Sequence, residues 1–143
     1  EYGCAKRILD ELIQYAKETQ YEGKFLAQNP VIRQKLVDRT IEVETMKMFA
    51  YQTVWKRSQN ATLVYEPSRD KAFRDQMMER LAITATEILG AYSQVDPHSR
   101  WAKIKGSIQL LYLFFPGRSI AAGTDDIERN IIGQLGLGLP RSY

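Results

Sequence analysis

NPVIRQKLVDRTIEVETMKMFAYQTVWKR, residues 29–57, decides the fold. Asn29 is a good helix N-cap, because its side chain can accept a backbone N–H of the first turn. Pro30 suits the first helical position, where its missing N–H costs nothing. From there Ile32, Leu36, Val43, Met46, Ala50 and Val54 recur at spacings of 4, 7, 3, 4 and 4. That period keeps one face of a helix apolar and predicts a long helix from Pro30 to about Arg57. Met48, Phe49, Tyr51 and Trp55 widen the apolar face, so this helix is expected to touch neighbours on two sides.

Outward from this helix the same period returns. Ala5, Ile8, Leu9, Leu12, Ile13 and Ala16 form one stripe of a helix from Ala5 to about Thr19. YEGKFLAQNP, residues 21–30, reads as a loop turning at Gly23. After SQNATLVYEPSRD, residues 58–70, the chain restarts near Pro67, with Ser68 or a neighbour as N-cap. Phe73, Met77, Leu81, Thr84 and Ile88 mark a third helix, and Gly90 is placed to end it. Asp96-Pro97 lies in a connector. A fourth helix is expected from Trp101 to about Phe115, stopped by Pro116-Gly117. A short final helix should begin near Thr124 and fade at the glycines of LGLGLP. There is no strand alternation and no internal repeat. The expected fold is all-α: an antiparallel four-helix bundle with a short extra C-terminal helix.

The bulk numbers agree. The 143 residues make one domain the default, long enough to bury a core without covalent staples. Net charge is +3, but acids and bases alternate in RILDELIQYAKE and RQKLVDRTIEVE, which reads as solvated helix faces with i,i+3 and i,i+4 pairs. With no basic patch or aromatic ladder, nucleic-acid binding is not expected. Cys4 is the only cysteine, so it cannot pair within the chain; a packing role and a reducing compartment are expected for it. The longest apolar run, LLYLFF at residues 110–115, is too short to span a bilayer. The chain starts at Glu1 without a methionine and enters a helical pattern at once, so a fragment of a longer protein is expected.

Several chemistries are excluded by what is missing. A di-iron bundle needs Glu-x-x-His on two helices, and this chain has one histidine, His98, in the connector. One Cys and one His cannot fill a zinc site. No dinucleotide fingerprint or Walker loop is present. Two places remain. Glu87-Ile88-Leu89-Gly90-Ala91 ends a helix in small residues, which is a plain C-terminal cap or a place of close approach. IAAGTDDIERNII, residues 120–132, sets Gly123-Thr124-Asp125-Asp126 at a helix mouth. Thr124 is an N-cap there, and each aspartate gains roughly 0.3–1 kcal/mol from the helix dipole. The small residues before the cap would let another molecule come near.

PGRSIAAGTDDIERNIIGQLGLGLPR, residues 116–141, closely resembles the C-terminal signature of acyl-CoA dehydrogenases. ILDELIQYAKET with the following Gly-Lys and LAQNPVIRQKL resembles the first half of the same domain, and TATEILGAYSQ the end of its third helix. The resemblance covers the chain from end to end. It implies that residues 1–143 form the C-terminal domain of a flavoprotein whose N-terminal helical and middle β domains are absent. It implies FAD lying between domains and across a dimer interface, an acyl-CoA substrate, and a glutamate base that takes the α-proton while the β-hydride goes to the flavin. Electrons would leave to an electron-transfer flavoprotein. A homodimer or homotetramer in the bacterial cytoplasm or mitochondrial matrix is implied. Thr124 and Asp126 match the pair that contacts FAD from the start of the last helix. Glu87, Gly90 and Ala91 match the segment that approaches the FAD of the neighbouring subunit. No metal site is implied.

Two departures stand out. Ala122 occupies a position where many members carry the catalytic glutamate, so no residue here is assigned as catalytic. In other branches the base lies on an earlier helix, at a position that falls before Glu1. Thr19 and Glu22 replace an arginine and a phenylalanine that touch the partner's FAD in the family pattern Arg-x-x-Phe-Gly-Lys. The isolated chain is expected to be inactive. Two other readings stay open: a non-catalytic structural subunit of a hetero-oligomer, and a free-standing helical interaction module.

Overall fold

The structure is a computed structural model that describes residues 2–141. Among the described residues there are five α-helices: α1, Tyr2–Glu18; α2, Pro30–Ser58; α3, Glu66–Leu89; α4, Ser107–Arg118; and α5, Asp125–Ile131. The first four form the expected antiparallel bundle in which α1 packs on α2, α2 on α3 and α3 on α4, while α5 lies against α3. The loop after α1 closes a minimal antiparallel ladder, β1 Gln20–Tyr21 and β2 Lys24–Phe25, too short to show as alternation in sequence. Its turn is built by Glu22 and Gly23, both at positive φ, the arrangement that matches strand twist in a two-residue hairpin.

α2 starts as its sequence predicts. Asn29 Oδ1 accepts from Val31 N at 2.9 Å, and Pro30 follows it. α3 is the hub, because it touches α1, α2, α4 and α5. Met77, Met78, Leu81, Ala82, Thr84, Ala85, Ile88 and Leu89 are all buried on it. They meet Ile8, Leu9 and Leu12 of α1, Leu36 and Val43 of α2, and Ile108, Leu111 and Phe115 of α4 in one core. Phe73 is half-buried and stands edge-on to Phe49 of α2, with ring centroids 5.2 Å apart.

Several expectations are corrected. α3 begins at Glu66, with Tyr65 rather than Ser68 at the N-cap and no capping side chain of its own. Glu66 takes over: its Oε2 accepts from Val64 N at 2.9 Å and Tyr65 N at 3.2 Å, and its other oxygen pairs with Lys56 of α2. α4 begins at Ser107 rather than Trp101, because Ile104, Lys105 and Gly106 all have positive φ and break any earlier turn. It also runs through Pro116 instead of stopping there. Tyr112 and Pro116 both lie on the exposed side, so the Tyr112 carbonyl that the proline leaves without an N–H faces solvent rather than the core. Val54 is 66 % exposed, because the core stripe of α2 does not extend that far. Cys4 is exposed at the edge of an apolar groove formed with Leu110 and Phe114, not packed.

Candidate functional site

The turn before α5 is set by backbone demands. Ala122 has φ 58° and Gly123 φ 105°, two successive residues in the region that disfavours side chains. Thr124 then returns to an extended conformation and caps α5, its Oγ1 accepting from Ile127 N at 3.3 Å. A Cβ on Gly123 would collide with Glu128 Oε1. Glu128, one turn into α5, is buried with its carboxylate folded back beneath the Ala122-Gly123 turn. Glycine is needed at 123 for conformation, and the Glu128 carboxylate, the far end of a flexible side chain, would have to shift to admit a Cβ.

Gln76 of α3 fixes the turn to the bundle by donating from Nε2 to Asp125 Oδ2 at 2.8 Å. The second oxygen of Asp125 is buried and has no hydrogen-bond partner. Asp126 points away from this anchor and is exposed, and Thr124 is half-exposed. The first turn therefore carries Asp125, Asp126 and Glu128. Their negative charge opposes a phosphate, and Asp126, the only exposed one of the three, offers open acceptors to hydroxyl or amino groups.

The other predicted segment lies elsewhere. α3 ends at Gly90, whose φ of 56° and ψ of −133° place it in a region that only glycine enters easily. A Cβ there would meet nothing within 4 Å, so the glycine is demanded by conformation and leaves bare, open backbone. Ser93 Oγ donates to the Gly90 carbonyl at 2.7 Å and holds the bend. Glu87 is exposed and pairs with Lys35 of α2 at 2.5 Å; Ala91 is exposed. Gln76 and Glu87 are eleven positions apart on α3, so the two segments stand about 16 Å apart along that helix. Thr124 and Asp126 are thus brought together, as are Glu87, Gly90 and Ala91, but the two groups do not converge on one spot. Thr19 and Glu22 sit at the end of α1 and in the hairpin turn. Among the described residues no group of His, Cys, Asp and Glu is placed to hold a metal.

The sequence signature and this helix order now agree from one end of the chain to the other. A family model, acyl-CoA dehydrogenase, C-terminal domain, matches residues 1–137. The chain belongs to the acyl-CoA dehydrogenase family. It is 28% identical over 138 residues to the acyl-CoA dehydrogenase IpdE1 of Mycobacterium tuberculosis, covering 94% of this chain and 32% of that protein. It is 25% identical over 136 residues to an L-prolyl-[peptidyl-carrier protein] dehydrogenase of a Serratia species, covering 94% of this chain and 33% of the relative. Among solved structures, the ChsE4-ChsE5 complex from Mycobacterium tuberculosis matches all of this chain and 36% of its own, with a TM-score of 0.91 at 20% identity. The FAD complex of PigA matches 96% of this chain and 34% of its own, with a TM-score of 0.82 at 22% identity. Both show the same fold. The chain spans about a third of the length of the curated relatives it matches. No helix among the described residues is long and apolar enough to cross a membrane.

Gln76 and Glu128 hold the turn before α5 but were not legible in the sequence. A glutamine in mid-helix and an acid in an acidic first turn both read as solvent-facing. Only the docking of α5 on α3 shows otherwise.

Proposed function

We propose that this chain is the C-terminal helical domain of an FAD-dependent dehydrogenase that introduces an α,β-double bond into an acyl thioester. In this reading an N-terminal helical domain and a middle β domain make up the rest of the protein, and the isolated chain is inactive. The observation that carries it is the Ala122–Asp126 turn, held by Gln76 and Glu128 inside a fold matched by the family model. Thr124 and Asp126 would touch the cofactor's hydroxyl or amino groups, since the acidic turn repels its phosphates. The bare backbone at Gly90 and Ala91, with Glu87, would lie against the cofactor of a neighbouring subunit. When bound there, FAD would supply the acceptor for the hydride that leaves the β-carbon.

This chain's part is to hold and orient, because Ala122 has no carboxylate to take the α-proton. The Glu128 carboxylate lies against Gly123 but is buried beneath the turn. The base therefore comes from outside these residues. Electron transfer to an electron-transfer flavoprotein, assembly as a homodimer or homotetramer, and a place in the bacterial cytoplasm belong to this proposal. So does the acyl carrier, coenzyme A or a carrier protein.

Ala122 also favours a second reading, a non-catalytic subunit that completes the cofactor site of a paired chain. Anaerobic mixing of the full-length protein with a panel of acyl-CoA and acyl-carrier-protein thioesters separates the two. Bleaching of bound flavin by any of them supports the enzyme; bound flavin that none reduces supports the structural subunit.

A further inference from the structure

One face of α4 and the end of α3 enclose a cleft that the dehydrogenase reading leaves unused. Gln109, Tyr112 and Leu113 of α4 form one wall, at the i, i+3, i+4 spacing of a single helix face. Thr86 of α3, with Ser93 and Gln94 of the 3₁₀ turn Gly90–Gln94, forms the other. The cavity measures about 370 Å³, within the range of small-molecule sites, and no charged side chain lines it. Two of its hydroxyls already donate inside the protein, Thr86 Oγ1 to the Ala82 carbonyl at 2.9 Å and Ser93 Oγ to the Gly90 carbonyl at 2.7 Å. The carboxamides of Gln94 and Gln109 and the Tyr112 hydroxyl are held by no other described residue. The surroundings are cationic. From Pro97 to Thr124 the chain holds Arg100, Lys103, Lys105 and Arg118 and no acid, unlike the alternating charges of α1 and α2. Lys103 Nζ stands 5.3 Å from the centroid of the Tyr92 ring, two residues before Gln94. Acids close in sequence are engaged: Glu87 pairs with Lys35, and Asp96 Oδ1 accepts from His98 N at 2.8 Å.

We propose that this cleft is a site for an adenine nucleotide, separate from the segments that the dehydrogenase reading gives to FAD. A carboxamide sets one donor and one acceptor side by side, which matches the amino group and ring nitrogen on one edge of adenine. Gln109 is half-buried on a helix and is the better fixed of the two glutamines. Guanine presents two acceptors on the same edge and is read by Arg or Lys, and neither lines the cleft. The Tyr112 ring gives the base an aromatic surface to lie against. Uncharged walls suit a base but not a phosphate, so the anionic end of the nucleotide projects from the cleft towards Lys103. Adenine with an anionic tail has two sources, a free nucleotide such as ADP and the adenine end of coenzyme A. None of the residues lining the cleft is among those assigned above to the cofactor. The site depends on the cleft alone, so it stands or falls apart from the dehydrogenase reading.

The test is titration calorimetry on the full-length protein carrying this chain, with any flavin it holds left bound, and with ADP, GDP, adenosine and coenzyme A as probes. ADP should bind, and GDP should bind about tenfold more weakly or worse. Gln109→Ala should weaken ADP by about tenfold and remove the preference over GDP. Tyr112→Phe should hold ADP within about threefold of the unchanged protein, whereas Tyr112→Ala should lose about tenfold. Lys103→Ala should weaken ADP and leave adenosine unchanged. Circular dichroism spectra that match the unchanged protein separate lost binding from lost folding. Coenzyme A that competes with ADP makes the cleft a seat for the adenine of a thioester substrate; ADP binding that coenzyme A does not disturb makes it a free-nucleotide site. No ADP binding, equal binding of ADP and GDP, or an unaffected Gln109→Ala would overturn the site. So would ADP that binds the flavin-free protein but not the flavin-loaded one, since the cofactor's own adenine would then fill the cleft.

Discussion

Gly123 is the residue on which the turn before α5 depends most. Its φ of 105° is the main obstacle to a side chain, and the Glu128 carboxylate adds to it as far as the buried side chain cannot shift from the place a Cβ would take. Gly123→Ala should cost about 1–3 kcal/mol. Chemical denaturation of Gly123→Ala alone and in a Glu128→Ala background divides that loss. The steric part should vanish when Glu128 is cut back, and the backbone part should stay. An identical loss in both backgrounds would show that Glu128 does not press on the turn. The resemblance singled out Ala122, Thr124 and Asp126 from residue identities, but the demand for Gly123 needs the fold of Glu128 to be seen. Glu66 is the other decisive residue. Its carboxyl is held at about 2, below the usual 4.5, by the hydrogen bond from Lys56 and the backbone N–H of Val64. A carboxylate with a lowered folded-state value binds protons less readily folded than unfolded. The stability it contributes is therefore complete above pH 4.5 and is lost as pH falls towards 2. Glu66→Gln should destabilise at neutral pH by about 1–3 kcal/mol and flatten the acid limb of a stability–pH curve between those values. An acid limb as steep as that of the unchanged protein would refute the assignment.

At the scale of elements, α1, α2 and α3 were legible because each carries a long 3.6-period stripe and α2 has an unmistakable start at Asn29-Pro30. α4 was legible as a helix but not in its bounds. Its entry depends on Gly106, whose Cβ would collide with Pro97 Cα, a contact between segments that local sequence cannot announce. Gly106→Ala should therefore destabilise the α4 entry by about 2–4 kcal/mol, through the clash and the positive φ of 65° together. Hydrogen exchange should show faster opening at Ser107–Leu111 than in α1. Protection unchanged in α4 would place the cost elsewhere. The burial of Asp75 follows the same logic of contact over pattern. Burial alone would push its carboxyl up, but the guanidinium of Arg74 at 2.8 Å and Lys71 at 2.9 Å outweigh this and hold it low.

At the scale of the whole molecule, one core centred on α3 sets the turn before α5 and the bend at Gly90 on separate parts of the surface. Met77 and Leu81 are fully buried in that core. Leu81→Ala should lower unfolding free energy by about 2–5 kcal/mol, with no shift in the midpoint if the helix packing were looser than described. The bundle and its order could be read from period and caps. The acyl-CoA dehydrogenase assignment came from the Gly-Thr and Leu-Gly-Leu-Pro-Arg residues, and the match over residues 1–137 bears it out. What no pattern could reveal is how α5 docks on α3, since Gln76 and Asp125 are 49 positions apart. The central claim is that this domain serves an FAD-dependent acyl-thioester dehydrogenase. Its most direct test is the visible absorbance of the purified full-length protein, recorded anaerobically before and after addition of acyl thioesters. The account predicts a flavin spectrum that at least one thioester bleaches; a colourless protein that takes up no FAD when it is supplied would contradict it.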